Sequence, residues 1–166
     1  RCVFGGALPL GSVGRGRGPW RGRMPRRAAE MDGWWRAGAG VLSSDPARSR
    51  SGGAAMGFDP ARSYGDVDEM LRQERARSDG IDAVAIMTPN DTHYRFAAAA
   101  LDAGLDVVGA KPVTHDFAEA CDLVARTRRG GRRFAVAPRS CAYPSIRYPR
   151  PLVRDAALAP SARCRL

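Results

Sequence analysis

The sequence predicts an α/β fold, a doubly wound parallel sheet, and three observations carry that expectation. From Ala37 onward, short apolar runs alternate with longer segments of helical spacing, which is the signature of βαβ units. Helix start and stop residues fall at the borders of those segments. The chain of 166 residues is 44% hydrophobic, close to the globular average and long enough for one domain and part of a second.

Each element can be justified in order. PLGSV (9–13) is a poor strand candidate, because Pro9 and Gly11 both disfavour strands. AGAGVLSS (37–44) reads as a short buried strand, and Asp45-Pro46 then supplies a helix N-cap with proline at the first helical position. Gly57 stops that helix. Asp66 and Glu69, three apart ahead of Met70 and Leu71, resemble a capping box that opens the helix DVDEMLRQERARS. DAVAIM (82–87) is the clearest strand, and TPND (88–91) starts a helix with Phe96, Ala97, Ala100 and Leu101 on one face and Gly104 at its C-terminal cap. DVVGA (106–110) is the next strand. Thr114 or Asp116 caps a helix with Phe117, Ala120, Cys121, Val124 and Ala125 at helical spacing, and RRFAVA (132–137) returns to strand. Beyond Cys141, the density of prolines interrupts any helix.

Net charge is +10, but the basic residues are 26 Arg and one Lys, Lys111, a bias typical of a GC-rich coding sequence and therefore weak evidence for a nucleic-acid partner. No apolar run approaches the roughly 18–20 residues that span a bilayer, so no membrane role is expected. The opening RCVFGGALPLG runs into Gly/Arg sequence and is not expected to act as a signal peptide. Cys2, Cys121, Cys141 and Cys164 are widely separated and only two His are present, so neither a metal site nor a disulfide framework is suggested and a cytoplasmic setting is expected.

Ligands of open parallel sheets bind beyond the C-terminal strand ends, so the loops after strands are where chemistry is sought. Gly14-x-Gly16-x-Gly18-x-x-x-Gly22 follows 9–13 and precedes the helix-compatible RRAAEMDG; glycines there let amide N–H groups approach a pyrophosphate, although Pro19 occupies the third fingerprint position. The alternative is an RG-rich linker whose spacings arise by chance. Thr88-Pro89-Asn90-Asp91-Thr92-His93 leaves the clearest strand, with Asn90 offering a donor and an acceptor to a ribose or carboxamide, or else serving with Asp91 as a cap. Ala110-Lys111-Pro112 puts the sole lysine at the next strand end, where a compact ammonium can donate a proton or hold a reacting oxygen as Arg cannot.

Together the runs VLSSDPARS, RSYGDVDEML, IDAVAIMTPNDTHYRFAAAALDAGLDVVGAKPVTHDFAEACDLV and AYPSIR resemble the N-terminal half of the Gfo/Idh/MocA family of NAD(P)-dependent oxidoreductases. That family's TPN-x-x-H and E-K-P motifs occur here in order and spacing, the second as Ala-Lys-Pro, and the likeness covers about residues 8–158. It implies a Rossmann-type dinucleotide-binding domain over 8–140, after an extension at 1–7, with 141–166 a linker or the start of a further domain. It also implies NAD or NADP as cofactor and hydride transfer to or from a sugar, cyclitol or related polyol. Lys111 would be catalytic, positioning or protonating the substrate oxygen. Gly14, Gly16, Gly18 and Gly22 would form the phosphate loop; Ser43, Ser44, Asp45 and Arg48 would face the adenosine ribose; Thr88, Pro89, Asn90, His93 and Pro112 would line the nicotinamide side.

Departures from the family pattern are Ala110 in place of Glu, Pro25 where His is typical and Ser140 where Tyr is common. The resemblance further implies a C-terminal α/β domain that completes the substrate pocket and the oligomer. With none of that domain in the 166 residues, the expectation is a truncated or degenerate member, inactive alone. Small residues at 43–44 beside Arg48, with Asp45 taken up as a cap, favour NADP over NAD. The competing reading is an RNA binder without enzymatic activity, using Arg15, Arg17, Arg21, Arg23, Arg26 and Arg27 with Trp20 for stacking.

Overall fold

A computed structural model describes residues 6–14, 31, 33–138, 143–148 and 151. Two compact units, Arg1–Val136 and Ala137–Leu166, divide the chain. Among its described residues the first holds five parallel strands: β1 (Leu8–Gly14), β2 (Trp35–Val41), β3 (Ala83–Met87), β4 (Asp106–Gly109) and β5 (Phe134–Val136), in the spatial order β2-β1-β3-β4-β5. Among the described residues its helices include α1 (Pro46–Ala55), α2 (Val67–Ala76), α3 (His93–Asp102) and α4 (Phe117–Gly130), with single 3-10 turns at Pro60–Arg62 and Asn90–Thr92. In the second unit, α5 is one turn, Pro144–Arg147.

The weakest sequence candidate is the middle of the sheet. β1 pairs with β2 on one side and β3 on the other. Pro9 sits near its start, where the missing N–H costs least, and a register shift against β2 between Leu10 and Gly11 absorbs the irregularity. Tertiary pairing thus overrides local propensity. β2 runs over Trp35–Val41 rather than 37–44. Leu42 N–H turns to Ser49 Oγ at 2.8 Å and Ser43 Oγ accepts from Asp45 N–H at 3.2 Å, which converts the last three residues of the expected strand into a turn.

Local chemistry sets the helix borders. Asp45 Oδ1 caps α1 through Arg48 N–H at 2.8 Å, Asp66 Oδ1 caps α2 through Asp68 and Glu69 N–H, and Asp116, not Thr114, caps α4 through Glu119 N–H. Glu69 completes no reciprocal box in the described bonds; its carboxylate takes Arg50 Nη2 at 3.1 Å. α1 carries two glycines in its interior despite their low helix propensity. At Gly53 a Cβ would fall 2.1 Å from Ser63 Oγ, so close packing of α1 on the 60–64 turn requires the bare backbone.

Pairing places Gly11, Val13, Val84, Ile86 and Val107 on one sheet face and Leu10, Ser12, Ala83, Ala85 and Val108 on the other. The first face meets Met70 and Leu71 of α2, Ala97 and Leu101 of α3 and Leu123 of α4 in the main core. Met70 and Ile86 are fully buried there, each contributing about 1.5–3 kcal/mol. Among the described residues, the second face holds a smaller cluster of Leu10, Ala83 and Ala85, edged by Trp35, Met87 and Val108. No described helix is long and apolar enough to cross a membrane.

Candidate functional site

β1 leads to β2 on one side while β3 lies on the other, so the chain reverses its direction of travel across the sheet between β1 and β3. Such a switch point opens a crevice beyond the C-terminal strand ends. Gly14 ends β1 at this point with φ of 126°. A Cβ there would lie 2.6 Å from the carbonyl carbon and oxygen of Met87 and 3.0 Å from Thr88 N, so the two strand ends touch backbone to backbone and only glycine fits. The crevice floor is therefore bare peptide, the kind of surface a pyrophosphate can approach closely.

Four strand exits bring the described candidates to one edge of the sheet. Gly14 leaves β1; Ser43, Ser44 and Asp45 leave β2, with Arg48 in the first turn of α1; Thr88, Pro89 and Asn90 leave β3; Lys111 and Pro112 leave β4. Gly16, Gly18 and Gly22 lie outside the described residues, as do Trp20 and the six arginines between Arg15 and Arg27. Ser44, Asp45, Arg48, Asn90, Lys111 and Pro112 are exposed. Asp45 spends one carboxylate oxygen on its cap, and Arg48 stands exposed in the first turn of α1, just past the two small serines at this corner.

The loops after β3 and β4 are fastened differently. Thr92 Oγ donates to the Pro89 carbonyl at 2.7 Å and lies 2.8 Å from Thr88 Oγ, which pins the loop that presents Asn90. Sequence reasoning passed over Thr92; its four-residue spacing from Thr88 across a proline was the available signal. His93 is turned inward and only 3% exposed. Its Nδ1 lies 2.7 Å from the Pro112 carbonyl oxygen and its Nε2 lies 3.0 Å from that of Thr88, so both ring nitrogens are committed to backbone. The peptide between Lys111 and Pro112 is cis. Among the described residues, no group of three or more His, Cys, Asp or Glu is placed to hold a metal ion.

Residues 11–137 match the model of an oxidoreductase family described by its NAD-binding Rossmann fold. An inositol dehydrogenase homolog from Azotobacter vinelandii, solved with NADH and myo-inositol, superposes with a TM-score of 0.88 at 35% identity, covering 93% of this chain and 41% of that one. The uncharacterized oxidoreductase YfiI of Bacillus subtilis is 37% identical over 94 residues, 57% of this chain and 24% of that protein. UDP-N-acetylglucosamine 3-dehydrogenase of Acidithiobacillus ferrooxidans is 30% identical over 110 residues, 66% of this chain and 32% of that protein. The chain thus spans less than half the length of each of these relatives. The nucleic-acid alternative finds no support among them.

Proposed function

The chain belongs to the Gfo/Idh/MocA oxidoreductase family, and we propose that its residues 8–140 are the dinucleotide-binding domain of an enzyme that moves hydride between a nicotinamide cofactor and a sugar, cyclitol or related polyol, with 141–166 leading onward from it. The observation that carries this reading is Gly14, whose Cβ-free contact with Met87 leaves a backbone cradle at the switch point, in a chain of this family. A relative bound to NADH and myo-inositol, and another named for a nucleotide-sugar dehydrogenase, support the polyol class of substrate. We further propose an oligomer, which the family resemblance implies, and a cytoplasmic setting, which the widely separated cysteines suggest.

Gly14, with Gly16, Gly18 and Gly22, holds the pyrophosphate through amide N–H groups; Ser43, Ser44, Asp45 and Arg48 meet the adenosine ribose; Thr88, Pro89, Asn90 and Pro112 border the nicotinamide. When bound, the cofactor supplies hydride chemistry. Lys111 holds the substrate oxygen and gives or takes its proton, a role that its ammonium at the β4 exit suits and a guanidinium does not. Arg48 close in sequence to Ser43 and Ser44, with one Asp45 oxygen engaged as a helix cap, favours NADP, since a guanidinium pairs with the 2′-phosphate.

Titrating the chain into NADH and NADPH and following nicotinamide fluorescence tests the reading. Enhancement with both, stronger for NADPH and reduced to the NADH level by Arg48→Ala, is the expected result. No enhancement with either, together with a salt-dependent RNA gel shift, would return the chain to the nucleic-acid alternative.

A further inference from the structure

β3 and β4 are neighbours in register, with Ile86 opposite Gly109, and the bond from Ala110 N–H to Ile86 O, 3.0 Å, extends their ladder just past the strands. Two residues further along each chain stand Thr88 and Pro112. Their carbonyl oxygens are the two atoms that His93 reaches, at 3.0 and 2.7 Å. The imidazole therefore replaces the next rung of the ladder with a side chain, at the level where the two loops part. It comes from the first turn of α3, so the helix itself anchors the rung. Carbonyl oxygens only accept hydrogen bonds, so the ring is the donor in this rung, and which nitrogen carries the proton follows its tautomer. Neither nitrogen is left for a ligand.

We infer that His93 is a positioning residue: it locks the Thr88–Asn90 loop to the Lys111–Pro112 loop so that the nicotinamide half of the cofactor meets a pre-assembled edge. The inference rests on the cofactor reading above and sharpens it, because it moves His93 from touching the cofactor to holding the residues that do. Asn90 and Lys111 are exposed on separate loops. Without a tie beyond Ala110, ordering those loops falls on the ligand and lowers its affinity. The adenosine corner at Ser43–Arg48 is built on β2 and α1 and shares none of this bracing.

That asymmetry gives a test. Dissociation constants for NADH and for ADP-ribose, which lacks nicotinamide, are measured on the chain and on His93→Phe and His93→Gln. The phenyl ring keeps the bulk without donors, and NADH affinity falls about tenfold, the scale of one buried hydrogen bond, while ADP-ribose affinity stays within about twofold. Gln offers one donor and recovers part of the loss. Equal losses for both ligands make His93 an ordinary core residue, and no loss for either makes the rung irrelevant; each result overturns the inference. If the unsubstituted chain binds neither ligand, the cofactor reading itself fails. A second measurement holds even where a variant unfolds. In the 15N-labelled chain, whose only other histidine is the exposed His115, His93 gives a slowly exchanging ring N–H signal. A His93 ring with no protected N–H breaks the rung.

Discussion

β3 is clamped at both ends by a buried titratable side chain, and the two clamps are built in opposite ways. At the entry, Glu74 from the end of α2 accepts from Ile81 N–H at 3.2 Å, from Tyr64 Oη at 2.8 Å, and from Arg62 through Nε at 2.9 Å and through Nη2. Arg62 also reaches the Asp79 carbonyl at 3.3 Å. At the exit, His93 hydrogen-bonds to the backbone carbonyls of Thr88 and Pro112. The entry clamp is an ion pair saturated by its neighbours, whereas the exit clamp meets neutral acceptors in loops whose tips stay exposed. The first ties elements of the fold to one another. The second ties together the two loops that carry Asn90 and Lys111, at the sheet edge where ligands of such folds bind.

The largest effect falls on the entry clamp. Glu74→Ala leaves the Arg62 guanidinium, 4% exposed, with only the half-exposed Asp79 carboxylate at 3.5 Å, and removing the buried partner of such a pair costs about 3–5 kcal/mol. Urea denaturation reads this loss, and the ratio of NADH to ADP-ribose affinity in the still-folded protein is unchanged. A changed ratio would mean that the two ends of β3 are not separable.

Gly14→Ala comes next and acts at the exit. A side chain at φ of 126° costs about 1–3 kcal/mol, and the added methyl presses on Met87 and Thr88. Binding of NADH and of ADP-ribose is lost together, because the cradle serves the part they share. That outcome contrasts with His93→Phe, which separates the two ligands. Retained ADP-ribose binding in a folded Gly14→Ala chain would remove the glycine from the site.

Tyr64→Phe is smaller, about 1–2 kcal/mol for one buried hydrogen bond to a charged acceptor. Its pH dependence is more specific. Burial, then the hydrogen bond and the charge of Glu74, push the Tyr64 hydroxyl from 10.0 up to about 12. A raised pKa stabilises the fold fully below pH 10 and ceases to do so as pH climbs towards 12. Stability of the unsubstituted protein therefore declines across that window, and Tyr64→Phe flattens most of the decline. Tyr94, raised chiefly by its hydrogen bond to Asp122, leaves a residual slope. An unchanged slope would show that Tyr64 does not titrate against Glu74.

Legibility in the sequence followed the range of the interaction. Asp45, Asp66, Gly57 and Gly104 act within a few residues, and their roles as caps and stops could be seen directly. DAVAIM was legible because its apolar run is continuous. β1 was not, since Pro9 and Gly11 contradict local propensity and only pairing on both sides makes a strand of them. At the edge of the sheet, Lys111 stood out by composition and Asn90 by its place after a strand. His93 did not show its role, because its partners lie 5 and 19 residues away and are backbone atoms. Glu74 gave less warning still: it stands among Gln73, Arg75 and Arg77, and its burial depends on Arg62 and Tyr64 closing over it.

A third tie supplies the smallest effect and tests whether burial is what separates the two clamps from ordinary surface pairing. Tyr94 follows His93 on α3 and donates to Asp122 of α4 at 2.9 Å, while Arg126 bonds the same carboxylate and, through Nη1, Asp102. Asp102 is exposed and Asp122 partly so, so water competes for these contacts and salt screens them. Arg126→Ala shifts the urea midpoint slightly, and the shift shrinks as ionic strength rises. Arg126, followed by Tyr94, holds the Asp122 carboxyl below its usual range, so the contribution is present at neutral pH and fades as pH falls through that lowered value. Glu74→Ala, by contrast, keeps its effect at high salt. If Arg126→Ala proved equally insensitive to salt, the helix pair would count as a third buried clamp, and solvent exclusion would no longer explain why the entry of β3 is so much more costly to break.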